Sequence, residues 1–229
     1  MAVIYLIRHG QASFGKLNYD ALSPVGEEQS RVLGEALAER VGHPDRVLVG
    51  GMQRHRQTAA QTLKAMGVPQ EWDEDPCWSE YDHQEIIERY NPLYKSGAEV
   101  MASLVKGKNA RRAFQEVFER ALARWTGGEH DTEYGESWPA FKQRVQRGLG
   151  GIQEAGVQTT FVFTSGGAIS ASVRQLWNLP DSQWTSLNRI IANATLTKVI
   201  VGKSGLHLST FNEHGHFEGR LHGHLLTYR

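Results

Sequence analysis

Apolar and polar positions follow two rhythms along this chain. Val3, Ile4, Tyr5, Leu6 and Ile7 form an unbroken apolar run, which predicts a strand covered on both faces, as in a parallel sheet flanked by helices. From Gly26 to Val41 the apolar residues Val32, Leu33, Ala36, Leu37 and Val41 recur at helical spacing, and Ser23 with Pro24 supplies a start signal. Arg46 to Val49 reads as a short strand, followed by a helix from about Gln53 to Met66 that stops at Gly67 and Pro69. Thr159 to Thr164 is a further β-rich run, and Gly166-Gly167 opens a helix through about Trp177. Thr195 to Val201 and Leu206 to Phe211, separated by Gly202-Lys203-Ser204-Gly205, predict an antiparallel hairpin at the sheet edge. Strand, helix, strand, helix implies an α/β fold with a mostly parallel central sheet and right-handed crossovers.

Between Ser79 and Gly156 the pattern turns helical, with segments near 83–89, 98–105, 111–125 and 139–156. Pro139 suits a first helical turn, with Ser137 as a capping candidate. This helical insertion is expected to act as a lid over the strand tips. No repeat, low-complexity tract or shift of composition marks a boundary, so residues 1–229 are read as a single domain.

Composition narrows the function classes only modestly. The chain has 229 residues, long enough to bury a substantial core. Lys+Arg and Asp+Glu both number 25, so net charge offers no argument for a nucleic-acid or membrane partner. Any cation needed to hold an anion must be local. Cys77 is the only cysteine, which excludes an intrachain disulfide and fits a reducing compartment. With neither a signal-like leader nor a long apolar run in the sequence, a soluble, cytoplasmic protein is expected.

The candidate chemistry begins where the first strand ends, at Arg8-His9-Gly10. Ligands of open α/β sheets bind beyond the carboxyl ends of the strands. A neutral His9 has one lone pair and can be phosphorylated on nitrogen, Arg8 carries a planar fork matched to phosphate oxygens, and Gly10 permits close approach of a ligand.

Four further segments follow. They are Leu22-Ser23-Pro24-Val25-Gly26-Glu27-Glu28-Gln29, Gly50-Gly51-Met52-Gln53-Arg54-His55-Arg56-Gln57-Thr58-Ala59, Ser79-Glu80-Tyr81-Asp82, and Phe161-Val162-Phe163-Thr164-Ser165-Gly166-Gly167. With Arg8-His9-Gly10 they resemble, end to end, the motifs of the histidine phosphatase (phosphoglycerate mutase-like) superfamily. The resemblance implies a metal-independent phosphomonoester hydrolase, without cofactor, acting on a small phosphorylated metabolite through a phosphohistidine. It implies His9 as nucleophile, Arg8 and Arg54 as phosphate-binding cations, and Glu80 as proton donor and acceptor, with Asp82 in reserve. At Ser165 the chain departs from the pattern, since family members usually have a second catalytic histidine there.

A hydroxyl donates one hydrogen bond but brings no positive charge, and losing a charge-assisted donor costs on the order of 2–4 kcal/mol in the transition state. A slowed phosphatase is therefore expected, with the amino terminus of the helix at Gly166 as the candidate compensation. Two alternatives remain open: a mutase-like phosphoryl transferase, and a catalytically weak phospholigand-binding or regulatory protein. A serine hydrolase is disfavoured, because the nucleophile elbow requires glycine where this chain has Phe163. Gln11, Ser13, Phe14, Ser23 and Gly166 are candidate substrate contacts, although Ser23 also suits helix capping. Arg56 is read as a surface residue. The histidines at 207, 214, 216, 222 and 224 match no metal-ligand spacing and are read as structural or surface residues. Trp72 and Trp78 are assigned to packing by default.

Overall fold

A computed structural model describes residues 2–13, 20–92, 110–219 and 221–228. The chain divides into two compact units, one formed by Met1–Glu80 with Val145–Arg229, the other by Tyr81–Arg144.

The first unit holds a six-stranded sheet in the order β3-β2-β4-β1-β5-β6, with β1 at Ala2–Arg8, β2 at Arg46–Val49, β3 at Asp73–Glu74, β4 at Thr159–Thr164, β5 at Leu196–Gly202 and β6 at Gly205–Glu213. Strands β1, β2, β3 and β4 pair in parallel, while β5 runs antiparallel to β1 and closes a hairpin with β6. The mostly parallel sheet matches the apolar runs because helices cover both faces of its centre. Leu6, Ile7, Val49, Phe161, Val162 and Phe163 are fully buried. Helix α1, Pro24–Arg40, packs Leu33 and Leu37 into the same core, and α2, Gln53–Met66, contributes Ala59 and the fully buried Leu63.

The chain order places Arg8 at the carboxyl end of β1, beside the equivalent end of β4, where Arg8 pairs with Thr164. A separate recess of about 260 Å³, lined by Ala2, Ile4, Ile152, Val157, Thr160 and Val201, lies at the opposite end of β1.

The second unit contains α3, His83–Tyr90, α4, Ala110–Thr126, and the first half of α5, Trp138–Gly151. Its core is aromatic: Tyr81 lies 5.1 Å from Trp125, and Trp125 lies 5.3 Å from Trp138 in an edge contact, distances that favour such pairs. The helix expected over 98–105 lies outside the described residues.

The helix expected to run from 139 to 156 ends at Gly151. Two consecutive glycines weaken the last turn there, and Gly156 takes a left-handed φ of 89° that no helix continues. Another segment, α7 at Trp184–Ile190, is a helix the apolar spacing did not announce, because about two turns anchored by the buried Trp184 are too short to show a periodic stripe. Among the described residues, no helix is long and apolar enough to cross a membrane.

Candidate active site

The site grows from the way β1 ends. The His9 amide donates to Thr164 O at 2.9 Å, and the His9 carbonyl accepts from the amide of Ala194 and from Asn193 Nδ2, each at 3.2 Å. Both neighbours of β1 therefore hold the backbone of this residue. Gly10 continues the turn, its amide donating to Thr58 Oγ1 at 3.0 Å, and that hydroxyl in turn donates to Arg54 O at 2.7 Å. The His9 turn and the first turn of α2 are thereby locked together.

The His9 side chain is almost completely buried, and its tautomer is fixed by its partners. Nδ1 lies 2.6 Å from the Gly10 carbonyl, which can only accept, so Nδ1 carries the proton. Nε2 accepts from Arg54 Nε at 3.1 Å, so it presents a lone pair. Burial holds the imidazole pKa well below its ordinary value, and the nearby charges of Arg54 and Arg8 push the same way. The ring is neutral at pH 7.

Arg54 is buried, and its Nη1 pairs with Asp20 Oδ1 at 2.7 Å. Arg8 points its guanidinium toward the start of α6, Gly166–Leu176, and donates from Nη1 to the Ile191 carbonyl. A Cβ added at Gly166 would meet Asn188 Oδ1 at 2.6 Å and approach Arg8 Nε at 3.6 Å.

Glu80 Oε2 accepts from the Gly167 amide at 3.0 Å, which sets this carboxyl group at the first turn of α6. Its segment is tied down from both sides: Thr164 Oγ1 donates to Trp78 O at 2.5 Å, and the Gly51 amide donates to Ser79 Oγ at 3.0 Å.

Ser165 begins α6 as its N-cap yet makes no capping hydrogen bond. Its hydroxyl instead lies 2.6 Å from Nε2 of His55, and both side chains are fully buried. The His55 ring sits 5.7 Å from that of His9, tilted by 35°. Its Nδ1 edge faces the Gly50 backbone, a contact that pulls the ring's pKa upward against the larger lowering by burial and by Arg54. A Cβ at Gly50 would stand 2.5 Å from that nitrogen, so only glycine leaves room for the ring.

One end of the sheet thus gathers a neutral buried imidazole, two guanidinium groups and a carboxyl group. Residues 4–214 match the model of the histidine phosphatase superfamily (branch 1). The chain belongs to this superfamily.

No curated protein matches the sequence. The fold of this histidine phosphatase superfamily member resembles a phosphoglycerate mutase from Bacillus anthracis, at 15% identity over 94% of each chain with a TM-score of 0.63. It also resembles a phosphoserine phosphatase mutant from Entamoeba histolytica in complex with phosphoserine, at 16% identity over 95% of this chain and 100% of that one with a TM-score of 0.62. A third likeness is to an alpha-ribazole phosphatase from Shigella flexneri, at 19% identity over 92% and 96% of the two chains with a TM-score of 0.60.

The remaining sequence candidates hold the loop after His9. Ser23 caps α1, accepting from the Gly26 amide at 3.1 Å and donating to Gln11 Oε1 at 2.9 Å. Ser13 donates from Oγ to the Leu22 carbonyl at 2.9 Å, and the Gln11 amide donates to Gln29 Oε1 at 2.8 Å. The polar groups of Ser13 and Ser23 are committed to the fold. Phe14 lies outside the described residues. Asp82 caps α3 through the amides of Gln84 and Glu85, and Arg56 forms a two-point exposed pair with Glu74.

Sequence reasoning passed over Asp20, Asn193 and His55. Only the last had a signal: a serine where this superfamily usually has an imidazole raises the question of where an imidazole has gone.

Proposed function

We propose that this protein is a phosphomonoester hydrolase that works without a metal ion, through a phosphohistidine at His9, on a small phosphorylated metabolite. The observation that carries this reading is the His9 tautomer, with the Nδ1 proton committed to Gly10 and the Nε2 lone pair turned toward a buried guanidinium. In the first step Nε2 attacks phosphorus, the bond from phosphorus to the ester oxygen breaks, and the leaving alkoxide takes a proton from the Glu80 carboxyl. In the second, the Glu80 carboxylate accepts a proton from water as that water attacks phosphorus, the P–N bond breaks, and inorganic phosphate leaves with His9 neutral again. Arg54 releases Nε2 when phosphoryl oxygens replace it as acceptor, and with Arg8 it then neutralises the charge spread over those oxygens.

Rapid acid-free quenching after mixing with p-nitrophenyl phosphate, followed by mass spectrometry, tests this directly. The phosphoryl group is expected on His9, with loss of label and turnover in His9→Ala. Adding alcohols as acceptors separates the classes: release of inorganic phosphate alone supports hydrolysis, whereas retention of the group on an acceptor would make the protein a transferase. Phosphate binding with no labelling of His9 would overturn the reading.

A further inference from the structure

We propose that His55 and Ser165 together supply the donor that this chain lacks at the end of β4: in the tautomer that carries its proton on Nε2 instead of holding it at Nδ1 against Gly50, His55 donates to Ser165 Oγ, which turns its own proton toward the transferring phosphoryl group. This rests on the phosphatase reading above. The ring comes from the third residue of α2 and the hydroxyl from the residue that opens α6, 110 positions apart in the chain. No proton leaves either residue; the imidazole polarises the hydroxyl, and the hydroxyl makes the contact. Ser165 is therefore the group that touches substrate and His55 a positioning residue.

Four observations favour the relay over a passive buried pair. A serine at an N-cap normally spends its oxygen on the first amides of its own helix. Here Glu80 takes the Gly167 amide and Ser165 makes no cap bond, so its hydroxyl is directed at the ring. Both groups are fully buried, where a polar contact is costly to keep unless it is satisfied, and where a short hydrogen bond is stronger than in water. The imidazole sits 5.7 Å from the ring of His9, the proposed carrier of the phosphoryl group. Finally, Gly50 opens the space the ring occupies.

The test compares Ser165→Ala, His55→Ala, their double variant, His55→Gln, and the exchange of positions His55→Ala with Ser165→His. Each single alanine variant is expected to lower kcat on the order of 10²-fold with little change in KM, because the contact is made chiefly in the transition state. The double variant is expected to lose no more than either single one, since both act through one hydrogen bond. His55→Gln, which keeps a donor and the bulk of the ring, is expected to retain more activity than His55→Ala and also guards against loss of folding. The exchange of positions is expected to recover activity over His55→Ala.

Inhibition by orthovanadate, which mimics the five-coordinate phosphorus, is expected to weaken in both alanine variants while inhibition by inorganic phosphate barely moves. Multiplying losses in the double variant, or unchanged vanadate inhibition in His55→Ala, would overturn the relay. Labelling of Ser165 in place of His9 would overturn it together with the proposed mechanism. Labelling of His9 in the unaltered protein tests the phosphatase reading separately, and vanadate binding judges the relay even where turnover is absent.

Discussion

Asp20 orients Arg54 and caps its helix at the same time. One carboxylate oxygen accepts from Arg54 Nη1 at 2.7 Å and the other accepts from the Gln53 amide at 2.7 Å, the first amide of α2, where Met52 offers no capping side chain. Asp20→Ala is therefore expected to act in two ways. Losing the cap lowers stability by about 1 kcal/mol. Freeing the guanidinium lowers kcat by about tenfold, because a misplaced cation stabilises the transition state poorly, while phosphate binding does not weaken since a competing negative charge is gone. Thermal denaturation and the separate effects on kcat and on inhibition by phosphate check both parts.

Ser165→His alone is expected to impair the protein rather than improve it. The space beside Ser165 Oγ is taken by His55 at 2.6 Å, with both side chains fully buried, so a second ring has nowhere to go. Overpacking of this kind costs about 1–3 kcal/mol. A lower melting temperature and reduced turnover are the expected readings, and a gain in turnover from this single change would show that the pocket has room for both rings.

Gly10 and Gly26 face each other across the loop after His9. A Cβ on Gly10 would lie 2.4 Å from the Gly26 carbonyl oxygen, and one on Gly26 would lie 2.2 Å from the Gln11 carbonyl oxygen. Both obstacles are backbone, which cannot swing aside. Gly26→Ala is expected to push α1 away from the loop, lower stability by about 2 kcal/mol or more and reduce kcat through displacement of His9. Denaturant unfolding combined with kinetics on the folded fraction separates the two effects.

The sheet was legible because buried parallel strands leave continuous apolar runs: Ile4, Leu6 and Ile7 in the first run and Phe161, Val162 and Phe163 in the other are buried. Two-residue β3, made of exposed Asp73 and Glu74, leaves no such trace. The contact of Arg54 with His9 joined two motifs the sequence already singled out. His55 was hidden for a physical reason. Placed between Arg54 and Arg56 it looks like part of a basic surface run, yet helical geometry turns Arg56 outward to Glu74 and His55 inward to β4. Asp20 reaches Arg54 from a turn, where no periodicity reports which way a side chain points.

Stability is expected to fall as pH drops from 6.5 toward 4. His216 donates from Nε2 to the Ala194 carbonyl at 2.9 Å, and burial lowers its pKa to about 4, against weaker upward pulls from that carbonyl and Glu213 and smaller downward ones from Arg40 and His214. A histidine with a depressed pKa in the folded state leaves the unfolded chain holding more protons in that window, so its contribution is complete above 6.5 and disappears as pH approaches 4. For His216 the loss amounts to at most about 3 kcal/mol. His9 and His55, also depressed by burial, act with the same sign. Denaturant unfolding of His216→Gln across this range is expected to show a shallower slope than the unaltered protein, and an equal slope would remove His216 from the account.

The tautomer of His9 should be visible in solution. The Gly10 carbonyl at 2.6 Å from Nδ1 and the Arg54 donor at 3.1 Å from Nε2 both require a proton on Nδ1 and a lone pair on Nε2. In water a free imidazole favours neither role so strongly and gains its second proton near pH 6.5. Nitrogen NMR of histidine-labelled protein, with His9→Ala to assign the signals, is expected to show one ring protonated on Nδ1 that stays neutral well below that pH. Arg54→Gln removes the donor and a positive charge together, so the His9 pKa is expected to rise while the preference for Nδ1 persists through Gly10. A His9 that titrates at the ordinary value in the unaltered protein would mean that neither burial nor the guanidinium groups act on it, and the lone pair would then be lost to protonation at mildly acidic pH.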